Sequence, residues 1–172
     1  AASTEKFPAA AAAAVTPTPK RGGILRFAPR SDAHGADPHI NLICHVSPPL
    51  AATSQGLLDL APNMEPALGI ATEWDISDDL RTYTFKLRPD VTFHNGADVD
   101  AAAVKWNFER IMDPKIGHTF SRSSLENVKE ITAIDKHTLR CTLKSPSAVF
   151  LANTVYYPCN LIAPHRDRKS VG

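Results

Sequence analysis

Cysteine is scarce in this sequence. Its 172 residues hold three, Cys44, Cys141 and Cys159, too few and too unevenly spaced for a disulfide framework or a zinc ribbon. One bridge plus a free thiol stays open. No charge of one sign dominates either: nineteen basic residues stand against eighteen acidic ones, for a net charge of +1. They are scattered rather than striped, which leaves no footprint for a phosphate backbone, and nucleic-acid binding is not expected. No apolar run reaches the length of a transmembrane helix. Paired carboxylates for acid–base chemistry are missing, and no internal repeat recurs at a solenoid period. What is present, 43% hydrophobic and 22% charged residues, is the profile of a soluble globular chain. It is long enough for one domain, or one domain and the start of another.

The N-terminal stretch "FPAAAAAAVTPTPKRGG" combines an alanine run with an Ala12-x-Ala14 pattern. It fits the end of a secretory signal whose basic start is missing, and equally an alanine-rich, proline-containing linker. On both readings residues 1–21 lack apolar anchors and are expected to be disordered. "GGILRFAPR" then predicts a short buried strand through Ile24, Leu25 and Phe27. The breakers Gly35, Asp37-Pro38 and Pro48-Pro49 make the next stretch an extended loop.

From Leu50 to Leu60 the apolar spacing predicts a helix, followed by a polar, proline-marked connection through "APNMEPALG". "TEWDIS" and "TYTFKLR" predict a hairpin turning at "DDLR", with Tyr83, Phe85 and Leu87 on one face. That face needs a cover, and a helix over 101–112 supplies one. Ala101, Val104, Phe108 and Ile111 recur three and four apart as one apolar stripe. Asp100 is the expected N-cap, Val99 and Val104 a hydrophobic staple, and Asp113-Pro114 the stop. A second hairpin pairs "VKEITAI" with "TLRCTLK" across "DKH", with Leu139, Cys141 and Leu143 facing in. "SPSAVFLAN" predicts a short helix from Pro146, and "CNLIAP" a return strand.

Few residues invite chemistry. His94-Asn95-Gly96 lies ahead of a helix, yet no nucleophile accompanies the imidazole. Asn-Gly is ordinary turn chemistry for positive backbone dihedrals, so the stretch reads as scaffold. His34, His39, Cys44 and His45 form the one cluster of ligand-type side chains, but their intervals of five, five and one fit no zinc pattern. Adjacent cysteine and histidine do not make a catalytic pair unless they meet in space. Gly22-Gly23 precedes a strand and is no phosphate cradle. Trp74 and Trp106 sit in amphipathic elements and read as packing residues.

In order along the chain, "RGGILRFAP", Asp37-Pro38-His39, "QGLLDL", Glu65-Pro66-Ala67-Leu68 with Ala71 and Trp74, "DISDDLRTYTFKLRPDVTFHNGADVDAAAVKWNFERIMDP" and "NVKEITAIDKHTLRCTLKSPSAVFL" resemble one family. It is the periplasmic substrate-binding proteins of peptide and nickel ABC importers, extracellular solute-binding protein family 5. The resemblance spans roughly residues 21–164. Two departures stand out: Ala102 and Ala103 replace a usual acidic pair, and "HRDRKSVG" replaces the family's continuation into a further lobe.

The resemblance implies a mixed α/β fold, the N-terminal part of a bilobal periplasmic binding protein. Its expected parts are a disordered leader or signal remnant at 1–21, the start of ligand-binding lobe I at 22–49, and a hairpin-and-helix buttressing domain at 50–151. A return strand to lobe I at 152–164 and a non-family tail at 165–172 follow. It implies no enzyme, no catalytic residue, no cofactor and no bound metal. The expected partners are a peptide or similar small solute and the membrane subunits of an ABC permease. The protein is expected to be a monomer outside the cytoplasmic membrane, secreted by a signal peptide mostly absent from this sequence. The loop after His39 is expected to reach the cleft, making Asn41, Ile43, Cys44 and His45 the ligand-side candidates, through side chains or through backbone alone. The competing expectation from another class is a metal-handling or Cys-His hydrolytic protein built on the 34–45 loop.

Overall fold

The structure, a computed structural model, describes residues 22–24, 26, 37–40, 53–155 and 159–164. Its centre is a four-stranded antiparallel sheet in the order β3-β4-β6-β5, formed by β3 (Ala71–Ile76), β4 (Thr82–Leu87), β5 (Val128–Asp135) and β6 (Thr138–Leu143). The two predicted hairpins are both there, and pairing of β4 with β6 fuses them into one sheet. Alternation explains why they join. Trp74, Phe85, Leu139 and Ala133 stand opposite one another as one row across the four strands, and Ile76, Tyr83, Cys141 and Ile131 as the next. Aligned apolar rows are what stabilise a sheet through its cross-strand pairs. Tyr83, Phe85, Leu139 and Cys141 are fully buried as a result.

Helix α1 (Ala101–Met112) covers that face, with the bounds and caps its sequence predicts. Asp100 accepts from the Ala103 N–H at 2.8 Å, and Asp113 ends the helix. Ala101, Val104, Phe108 and Ile111 are all at 0% exposure. Val99 joins Val104 in the same core cluster. The turn of the second hairpin fixes where the helix begins, since the Ala101 N–H donates to Lys136 O at 2.9 Å and Lys136 Nζ reaches Asp98 at 2.7 Å.

Several elements differ from what the sequence predicts. The segment from Ser54 on is not helical: β1 (Leu58–Leu60) pairs antiparallel with β2 (Pro66–Leu68), so the predicted polar connection contains a strand. Leu57 and Leu58 are adjacent and both buried, and so short an apolar run is ambiguous between the helical and the strand period. The helix expected from Pro146 starts later, as α3 (Phe150–Val155). The Ser147 N–H donates to Leu80 O at 3.1 Å and its carbonyl accepts from the Tyr83 hydroxyl, so the chain is held to the hairpin until residue 147. A seven-residue helix α2 (Thr119–Leu125), capped by His118, escapes the periodicity because it buries only Ser121 and Leu125. The predicted return strand is reduced to one bridge, Gly56 to Asn160.

The predicted strand near residue 24 is described only in part. Ile24 is 86% exposed rather than buried, and Leu25 and Phe27 lie outside the described residues. Cys141 and Cys159 are free, buried thiols, and burial pushes both up to about 12. Among the described residues no helix is long and apolar enough to cross a membrane.

Candidate functional site: the foot of the 37–45 loop

Helix α1 buries one face against the sheet and turns Arg110 and Asn107 toward two segments far away in sequence. Arg110 grips Asp37 through two bonds, Nη1 to Oδ1 at 3.1 Å and Nη2 to Oδ2 at 2.5 Å, the forked geometry in which guanidinium and carboxylate match best. Asp37 Oδ1 also accepts the backbone N–H of His39 at 2.9 Å, which folds the Asp37-Pro38-His39 step into a tight turn. Burial raises the Asp37 carboxyl, but the Arg110 hydrogen bond, the His39 N–H and the guanidinium charge outweigh it and leave the carboxyl below its ordinary value.

His39 is the hinge of the arrangement and is fully buried. Arg110 Nη1 lies 2.7 Å from its Nδ1 and Asn160 O lies 3.0 Å from its Nε2. A guanidinium has only donors and a carbonyl only accepts, so Nδ1 is the bare nitrogen and Nε2 carries the proton. Burial drives the ring to about 4; the Asn160 carbonyl opposes that shift and the Arg110 charge adds to it. The backbone carbonyl of His39 takes the His118 N–H at 3.0 Å.

Asn107 does the same for the return segment. Its Nδ2 donates to Ile162 O at 2.9 Å and its Oδ1 accepts the Ile162 N–H at 2.8 Å, so a side-chain amide satisfies the groups a strand partner would otherwise take. Asn160 Nδ2 donates to Ser54 Oγ at 2.8 Å, and the Leu161 N–H to Gln55 O at 3.0 Å. Segments 37–40 and 159–164 thus meet on α1, and 53–56 joins them through Asn160 and Leu161. Two cavities flank the junction. One of about 580 Å³ is walled by Asp37, Trp106, Arg110 and Ile162, and one of about 390 Å³ by Pro38, Gln55, His94 and Leu161. The Arg110 guanidinium carbon stands 5.9 Å from the Trp106 ring centroid, within cation–π range.

Of the residues singled out in the sequence, Asn41, Ile43, Cys44 and His45 lie outside the described residues, as does His34. The structure describes the foot from which that loop departs, up to the half-exposed Ile40. His94 stands at the surface and donates from Nε2 to Thr53 O at 2.8 Å. Gly96 takes φ +81°, the turn conformation its Asn-Gly step predicts. Trp74 packs against the core. No local pattern marks Asn107, Arg110 and Asn160 as a site; the one signal in the sequence is an asparagine beside the apolar stripe of α1, and it is fully buried.

The family of bacterial extracellular solute-binding proteins, family 5 middle, matches residues 65–170. The chain belongs to this family. It is 37% identical over 110 residues to the glutathione-binding protein GsiB of Shigella boydii serotype 4, covering 64% of this chain and 21% of that protein. Among solved structures it resembles the oligopeptide ABC transporter protein OppAIV of Borrelia burgdorferi, with a TM-score of 0.69 and 27% identity over 75% of this chain and 29% of that one. It also resembles AgaA of A. tumefaciens R10, solved with agropinic acid, with a TM-score of 0.61 and 29% identity over 65% of this chain and 22% of that one. The chain therefore spans about a fifth of the length of the curated relatives it matches.

Proposed function

We propose that this chain is the N-terminal part of the substrate-binding component of an ABC importer, which captures a peptide or similar small solute outside the cytoplasmic membrane and passes it to a permease. It performs no reaction of its own. The observation that carries this reading is the junction on α1. Arg110, His39 and Asn160 bind the foot of the 37–45 loop to the sheet-and-helix unit, so the unit holds the loop in place rather than contacting solute itself. Its residues 50–151 serve as the buttress, and Asn41, Ile43, Cys44 and His45 are carried toward the solute. A titratable solute such as glutathione fits the 37% identity to a glutathione-binding relative.

The competing metal-handling or hydrolytic reading is built on His34, His39, Cys44 and His45, of which His39 alone lies among the described residues. Both of its ring nitrogens are engaged, one by a guanidinium and one by a backbone carbonyl, and a metal ligand requires a free lone pair. Calorimetric titration with glutathione and with a pool of di- to pentapeptides tests the proposal. The 172-residue chain alone is expected to give no heat above dilution, because enclosure of most of the ligand surface needs a second wall. A chain extended through the second lobe is expected to bind. Stoichiometric zinc or nickel in the purified chain, lost on Cys44→Ser, would favour the alternative.

A further inference from the structure

The turn between Thr92 and Asp98 carries chemistry that solute capture does not use. Of the chain's seven asparagines, Asn95 alone is followed by glycine. Both residues are exposed, and no atom beyond Gly96 and its two chain neighbours lies within 4 Å of where a Cβ on Gly96 would stand. No distant part of the chain packs over Gly96. The Ala97 N–H donates to Asn95 Oδ1 at 3.1 Å. That bond folds the side-chain carbonyl back along its own backbone and aims a donor at the oxygen on which charge would gather if the carbonyl carbon were attacked. The turn is closed by one bridge, Thr92 to Asp98, and by surface hydrogen bonds from the Phe93 N–H to Ala97 O and from the Gly96 N–H to Phe93 O, each at 2.8 Å. Exposed bonds of this kind open most readily.

We propose that Asn95 is a spontaneous modification site, an exposed Asn-Gly turn arranged for succinimide formation, and that its product detaches the turn from Thr53. When the Gly96 N–H leaves Phe93 O and gives its proton to solvent, the nitrogen bonds to Asn95 Cγ. The Cγ–Nδ2 bond breaks, and the amine leaves as ammonia with a proton taken from water. Water then adds to one of the two carbonyls of the five-membered ring, which opens to aspartate or isoaspartate. One water is consumed and one ammonia released, with no change in oxidation state. Isoaspartate inserts a methylene into the backbone and displaces the pairing of Phe93 with Ala97. His94 moves with it, away from Thr53 O. The turn walls the 390 Å³ cavity next to the loop foot, so the new carboxylate appears beside the junction.

Ageing the purified chain at neutral and at alkaline pH, followed by tryptic mass spectrometry of peptide 87–105, tests this. The amide-to-acid mass gain is expected to accumulate in that peptide, faster at alkaline pH, with isoaspartate exceeding aspartate and the other asparagines unchanged. The ¹⁵N signal of the His94 ring is expected to shift in step with it. Asn95→Gln, which would have to close a less favourable six-membered ring, is expected to keep both peptide mass and His94 signal constant over the same period. Two results would overturn the proposal: an unmodified chain under conditions that convert the isolated 87–105 peptide, or modification spread evenly over all the asparagines. A His94 signal indifferent to complete modification would overturn the detachment.

Discussion

Arg110 and Asp37, 73 positions apart, meet through two hydrogen bonds with both side chains largely withdrawn from water, at 16% and 27% exposure. The pair fastens a loop foot to the helix that covers the sheet. Asp37→Ala removes the acceptor for both the guanidinium and the His39 N–H, and is expected to cost roughly 1.5–3 kcal/mol, the range for hydrogen bonds to charged groups. Hydrogen exchange should become fast at the His118 amide, which donates to His39 O, while the sheet keeps its protection. Arg110→Lys should rescue little, because an ammonium cannot make the forked contact.

Acid should loosen the same junction. The His39 ring is held near 4 in the fold against an ordinary 6.5, so between those values the unfolded chain binds a proton that the folded chain refuses. Stability therefore rises with pH through that window, is complete above about 6.5 and is lost as pH falls toward 4. The span sets an upper bound of roughly 3 kcal/mol. Denaturant midpoints measured across the window should flatten in His39→Asn relative to the parent chain.

Phe108 is at 0% exposure in the centre of the α1 stripe. Phe108→Ala is expected to cost on the order of 3 kcal/mol, as large-to-small core changes do. Chemical denaturation checks it, and a negligible loss would mean that α1 does not cover the sheet.

Asn107→Leu keeps the branching of the side chain and deletes both bonds to Ile162. Leaving an N–H and a carbonyl without partners is expected to cost about 1–3 kcal/mol for each group that stays dry. Faster amide exchange at Ile162, with the α1 amides unchanged, would place the loss at the return segment.

Periodic features were legible in the sequence, because burial on one face writes itself as alternation or as three-four spacing. Tyr83-Phe85-Leu87, Leu139-Cys141-Leu143 and the α1 stripe are of this kind, and each lies where its spacing predicts. Leu57-Leu58 was not legible, since two adjacent buried leucines satisfy either period. The junction was hidden for another reason. Asp37 and Arg110, His39 and Asn160, Asn107 and Ile162 are hydrogen-bonded pairs separated by 73, 121 and 55 positions. No local pattern marks a partner that only the folded chain brings near.

The most direct test of the buttress role is an exchange of parts. Residues 65–164 of this chain would replace the matching segment of the Shigella boydii glutathione-binding relative, and glutathione affinity would be measured by calorimetry. If the segment only holds the cleft loop in place, the chimaera should fold and bind glutathione within about threefold of the relative, under roughly 0.7 kcal/mol. A folded chimaera whose glutathione binding is lost would contradict that role and place solute contacts inside the sheet-and-helix unit.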